Sequence, residues 1–122
     1  MDNKFFIIDF DSTFVTIEAL DTLADIVLED NPQKEQISQQ IKGITQLGME
    51  GKISFTQSLE KRLALFAADK TQIEKLVSVL KKSITPSILR NKSFFKKNGD
   101  RIYIISGGFT EYIVPIVTQF GI

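Results

Sequence analysis

A chain of 122 residues, 43% of them hydrophobic, suffices for one compact domain with an inserted subdomain and is short for two ordinary ones. Its 15 Lys and Arg residues balance 15 Asp and Glu residues, so no net field draws it to nucleic acid or an anionic membrane, and neither is expected as a partner. Histidine and cysteine are both absent, which excludes His-based triads, thiolate nucleophiles, disulfides and His- or Cys-ligated zinc; carboxylates, hydroxyls, Lys, Arg and backbone groups remain.

The apolar run Phe5 to Ile8 ends at Asp9-Phe10-Asp11 and predicts a strand over 4–10, covered on both faces as in a parallel sheet. It is far shorter than a signal-peptide core or a membrane span, and a cytoplasmic location is expected. Helical spacing follows. Leu20, Leu23, Ala24, Val27 and Leu28 form one stripe, and Ile37, Ile41, Ile44 and Leu47 a second with Gly48 near its end. Ser54 with Gln57 fits a capping box ahead of Leu59, Leu63 and Phe66, and Asp69 with Gln72 opens a helix facing inward through Ile73, Leu76, Val77 and Leu80. Thr85-Pro86 predicts a capped helix over 86–97 that closes at Gly99. Beyond the turn Asn98-Gly99-Asp100, Arg101 to Ile105 predict a second strand, and residues 111–120 a last helix that Pro115 either kinks or starts.

The outline is a parallel α/β unit with a helical insertion after its first strand. Ligands of such sheets bind beyond the carboxyl ends of the strands, where both Asp9-Phe10-Asp11 and Ser106-Gly107-Gly108 fall. Two carboxylates two residues apart on a persisting strand leave the same face. Such a pair can divide labour between a nucleophile or metal ligand and an acid-base group, and its oxygen donors suit magnesium. The plain alternative is a solvated turn with Ser12 or Thr13 capping the next helix. A serine followed by two glycines between strand and helix offers a hydroxyl and backbone N–H groups to an anion, or is a simple turn.

Asp9-Phe10-Asp11-Ser12-Thr13 resembles the first motif of haloacid dehalogenase-type phosphatases, and Ile105-Ser106-Gly107-Gly108-Phe109 their second. Ile44-Thr45, Met49 through Phe55, and Ser58-Leu59-Glu60-Lys61-Arg62 are similar to the cap of the phosphoserine phosphatases in that superfamily. The resemblance implies an incomplete Rossmann-like core over residues 1–13 and 84–122 and a helical cap over 14–83. It also implies Mg2+-dependent hydrolysis of O-phospho-L-serine. Asp9 would be the nucleophile and Asp11 the acid and base, both holding the metal; Ser106 and the Gly107 N–H would hold the phosphoryl oxygens. Glu18 would meet the substrate ammonium and Arg62 its carboxylate, while Met49 and Phe55 would line the pocket. Taken alone, Glu18 reads as an acid in the first turn of a helix, Arg62 as an exposed helix residue, and Met49 and Phe55 as core.

The family pattern continues with a third-motif lysine and a fourth, acidic motif, whereas this sequence stops at Phe120-Gly121-Ile122. Little or no turnover is expected of the isolated chain. The apolar strand edge is expected to be covered by a second copy, as in a homodimer, by another polypeptide or by further chain of the same sheet. The rival readings are a non-catalytic module that binds phosphate or a phospho-amino acid, and a phosphatase for another small phosphate ester.

Overall fold

The computed structural model describes residues 4–122; the first three residues of the expected core segment lie outside them. Two strands, β1 (Phe6–Asp9) and β2 (Ile102–Ile105), pair in parallel with Phe6 opposite Ile102 and Asp9 opposite Ile105. The α/β class and the parallel pairing agree with the sequence reading, and between the strands the regular structure is helical. β1 is shorter than expected because the chain turns away at Phe10–Phe14, a wide turn in which the Val15 N–H donates to the Phe10 carbonyl at 3.1 Å.

The chain divides into two compact units, one running to Ala19 and resuming at Ile73–Ile122, the other Leu20–Gln72. In the first, the turn after β1 drives Phe10 and Phe14 fully out of solvent. Phe14 meets Phe120 and Phe95 edge-on at 5.2 and 5.9 Å between centroids, the preferred geometry of aromatic pairs. Tyr112, Ile116 and Val117 complete that core from α7 (Thr110–Val117). The chain closes on itself where Val15 and Ile84 form an antiparallel bridge, with Thr16 N–H donating to Ser83 O at 2.8 Å and Thr85 N–H to Phe14 O at 3.0 Å.

The continuous apolar run of β1 suggested cover on both faces, but only one face is packed among the described residues. Phe6 and Ile102 turn inward, Phe6 meeting Phe94 edge-on, while Phe5, Ile7, Tyr103 and Ile105 are all more than half exposed.

The second unit contains most of α1 (Ala19–Val27), all of α2 (Lys34–Met49) and α3 (Phe55–Leu63), and the start of α4 (Lys70–Lys81). Both expected N-terminal signals are present. The Ser54 hydroxyl accepts from Gln57 N–H at 3.1 Å while the Gln57 side chain accepts from Ser54 N–H at 2.9 Å, and Asp69 and Gln72 repeat that exchange at 2.8 and 2.9 Å. Helices α2 and α3 come close at Gly48, where an added Cβ would lie 3.0 Å from Ser58. The Ser38 hydroxyl on α2 donates to Asp25 on α1 at 2.8 Å.

Three elements depart from the sequence reading. The helix expected over 86–97 is two, α5 (Pro86–Arg90) and α6 (Lys92–Asn98), broken at Asn91. The Asn91 side chain donates to Ser87 O at 2.7 Å and closes α5, a local bond that competes with the helical ladder. Thr85 makes no side-chain cap; its hydroxyl donates to the Thr13 carbonyl and ties the chain back to the turn after β1. Gly99 opens a tight turn, Gly99–Arg101, rather than acting as a left-handed cap. Its lack of a side chain answers a different need, since a Cβ there would sit 1.9 Å from the Gly121 carbonyl oxygen. At the C-terminal side, Pro115 lies inside α7, and the helix tightens into a turn at Thr118–Phe120 before Gly121, whose φ is 78°.

Candidate functional site

The parallel register places Asp9 opposite Ile105, so the carboxyl end of β1 and the Ser106-Gly107-Gly108 turn emerge at one end of the sheet. The backbone is extended at Asp9 (φ −69°, ψ 148°), the last residue of β1, and again at Asp11 (φ −65°, ψ 133°), beyond the strand. Asp9 is exposed, and among the described residues no hydrogen bond or ion pair engages its carboxylate.

Asp11 is held from two sides. One carboxylate oxygen accepts from the Ala19 N–H at the start of α1 at 2.8 Å, where an acid satisfies a backbone donor that the helix cannot. The other accepts from the Ser106 hydroxyl at 3.3 Å, joining motifs 95 residues apart in the chain. The alternative in which Ser12 or Thr13 caps the next helix is therefore not what forms; Asp11 does so across a loop. Ser106 also accepts from the Gly108 N–H at 2.9 Å, which fixes the hydroxyl beside the turn, and Gly107 follows it in an exposed position. Gly108 is needed for packing, because a Cβ would fall 2.0 Å from the Tyr112 hydroxyl.

Glu18 lies one residue before α1 rather than in its first turn. One of its carboxylate oxygens accepts from the Ser12 hydroxyl at 2.7 Å. Asp11, Ser12, Glu18 and Ser106 thus form one connected group at the strand ends, with Asp9 two residues from Asp11 in the chain. Sequence reasoning passed over Ser12 except as a cap. Its signal is visible only in the backbone, where Ser12 is, among the described residues, the non-glycine one with positive φ, 57°.

The remaining expected site residues belong to the helical unit. Met49 ends α2 and Phe55 begins α3, and they are 65% and 57% exposed, so neither has the core role that their side chains suggest when read alone. Arg62 reverses the plain expectation in the other direction. It is buried, and its Nε–H donates to Ser58 O at 3.3 Å, one helical turn back. Asp21, which the sequence reading left aside, lies in its electrostatic reach. Burial pushes the Asp21 carboxyl above its ordinary range, opposed by a hydrogen bond from Thr45 at 3.3 Å and by the positive charge of Arg62.

Among the described residues no group of three or more acidic, His or Cys side chains gathers. The oxygen donors of Asp9 and Asp11 are of the kind that magnesium takes with water completing its shell. No helix of the described residues is long and apolar enough to cross a membrane.

No family model matches the chain. It is similar to the phosphoserine phosphatase of Methanocaldococcus jannaschii, 32% identical over 121 residues, which is 98% of this chain and 52% of that protein. A phosphoserine phosphohydrolase-like protein from Francisella tularensis superimposes with a TM-score of 0.80 at 33% identity, covering 98% of this chain and 54% of that one. A phospho-aspartyl intermediate analogue of phosphoserine phosphatase gives a TM-score of 0.69 at 30% identity, covering 99% and 54%. The chain spans about half the length of the curated relatives it matches.

Proposed function

From the kinship of this chain, over nearly its whole length, with phosphoserine phosphatases of the haloacid dehalogenase superfamily, we propose that the protein hydrolyses O-phospho-L-serine through an aspartyl-phosphate. The observation that carries the reading is the Ser106–Asp11 contact, which joins the two sequence motifs at the carboxyl ends of adjacent parallel strands.

In this reading Asp9, exposed at the end of β1, attacks phosphorus; the new bond is from its carboxylate oxygen and the bond that breaks is to the seryl oxygen. Asp11 gives that oxygen its proton. It then takes a proton from water, which attacks the same phosphorus and releases Asp9 and inorganic phosphate. The anchors on Asp11 from Ala19 and Ser106 support this assignment, since an acid-base group must keep its orientation through both steps. Ser106 and the Gly107 N–H receive the phosphoryl oxygens. Asp9 and the Asp11 carbonyl would hold Mg2+, which offsets phosphoryl charge. On the helical unit, Arg62 is assigned to the substrate carboxylate, and its burial on an α3 backbone carbonyl supports a fixed rather than a solvated fork. Met49 and Phe55, both exposed on the helical unit, are assigned as apolar contacts of the substrate. Glu18 takes the substrate ammonium. The exposed face of β1 and β2 is in keeping with cover by further chain of the same sheet or by a second copy.

The test is phosphate release from O-phospho-L-serine with Mg2+, comparing the product of the complete reading frame, its Asp9→Asn variant and the 122-residue polypeptide. Activity in the first, lost in the second and near background in the third is the expected pattern. Inactivity of the complete product would overturn the reading.

A further inference from the structure

Ser12 adopts φ 57° and ψ 16°, a left-handed conformation that a serine adopts at a cost and a glycine would adopt freely. A serine held in such a place calls for a use of its side chain, because the backbone alone would be better served without one. That use is visible: the hydroxyl donates to a Glu18 carboxylate oxygen at 2.7 Å, a short bond to an ionisable partner. The same residue's N–H donates to the Ile17 carbonyl at 3.1 Å, which draws the two ends of the segment 12–18 together. Ala19 N–H, the next donor along, goes to Asp11 at 2.8 Å. Three bonds therefore lace residues 11 and 12 to residues 17, 18 and 19.

We infer that Ser12 is a positioning residue for substrate selection: through its hydroxyl it sets the Glu18 carboxylate for an ammonium group, so that the loop carrying Asp9 and Asp11 itself discriminates amino from des-amino phosphate esters. This rests on the assignment of Glu18 under the proposed function and adds the residue that orients it. A carboxylate on a free rotor reaches a cation in many poses, most of them unproductive, whereas one fixed by a hydroxyl is confined to few. The left-handed turn is what aims the Ser12 side chain along the loop toward Glu18.

The experiment compares the complete protein with its Ser12→Ala, Ser12→Gly and Glu18→Gln variants on O-phospho-L-serine and on 3-(phosphonooxy)propanoate, which lacks the ammonium. KM and kcat are read for both esters, and equilibrium binding of both is read on the Asp9→Asn background. Both Ser12 variants are expected to raise KM and Kd for phosphoserine about tenfold, with the des-amino ester changed less than about twofold. Ser12→Gly separates the hydroxyl from the backbone, since it relaxes the turn and still lacks the donor. Parallel losses on both esters, or wild-type discrimination in Ser12→Gly, would overturn the inference while leaving phosphoserine hydrolysis intact. A wild-type protein that neither binds nor turns over phosphoserine would remove the underlying reading and this inference together.

Discussion

Replacing Gly108 with alanine places a Cβ 2.0 Å from the Tyr112 hydroxyl oxygen, 2.7 Å from Cζ and 3.1 Å from Cε1. Tyr112 cannot simply swing away. It is fully buried on α7, tilted against Phe10 at 6.5 Å and edge-on to Phe109 at 6.3 Å between centroids. Relief requires the ring or the Ser106–Phe109 turn to move by more than about 1 Å, and overpacking of this kind costs about 1–3 kcal/mol. With a urea m-value of about 1–3 kcal/mol/M for a domain of this size, the unfolding midpoint should fall by roughly 1 M. Tyr112→Phe provides the control. It removes the closest atom but leaves the ring carbon, so Gly108→Ala should cost at least ~0.5 kcal/mol less in that background, the coupling being read from a double-mutant cycle. The cycle also subtracts whatever the loss of the hydroxyl costs by itself. A Gly108→Ala protein within ~0.5 kcal/mol of wild type, or an equal cost in both backgrounds, would refute the steric account of this glycine.

Other substitutions probe other parts of the molecule. Asp21 has a carboxyl raised above 3.8 mainly by burial, so the folded state holds its proton to higher pH than the unfolded state does. Its contribution to stability is therefore most favourable below 3.8 and declines as pH rises through the folded value. Asp21→Asn should gain on wild type over that rise, and urea midpoints measured across pH with a constant gap would contradict this. Ser54→Ala removes half of the reciprocal cap of α3 and should cost about 1 kcal/mol, seen in the same unfolding assay. Phe14→Ala opens the aromatic cluster with Phe95 and Phe120 and should cost about 3–5 kcal/mol, with loss of near-ultraviolet circular dichroism if the cluster is central. A loss under ~1 kcal/mol would show the core to be elsewhere.

Elements whose signal is local were legible in the sequence. The caps at Ser54 and Asp69 depend on residues three apart, and both formed; the two apolar runs, far apart in the chain, paired because parallel register needs only that each be a strand. What the sequence concealed depends on competition or on distance. Asn91 and its neighbours read as continuous helix until the side chain takes the Ser87 carbonyl. Thr85 reads as a cap until the Thr13 carbonyl is near enough to claim its hydroxyl. In the site, Asp9, Asp11 and Ser106 were marked by their positions after strands. Ser12 was not, because a left-handed serine carries no periodic signal. Arg62 and Asp21 illustrate a further limit: their burial depends on how the helices of their unit pack, which helical spacing alone does not specify.

The pairing of Phe6 with Ile102 also has a bearing on how the protein is made. Because the two strands are parallel and distant in sequence, β1 leaves the ribosome long before its partner exists. Segment Leu20–Gln72, by contrast, is contiguous and dominated by helices whose contacts are local, so it can gather while synthesis continues. Closing the long intervening loop adds little to the equilibrium cost, since each doubling of a loop costs only about 0.6 kcal/mol, but it delays the sheet. The nascent chain thus carries Phe5, Ile7 and Ile8 without their partner strand until Ile102–Ile105 have been made, and that interval, rather than the finished fold, is where chaperone dependence and aggregation would first be felt.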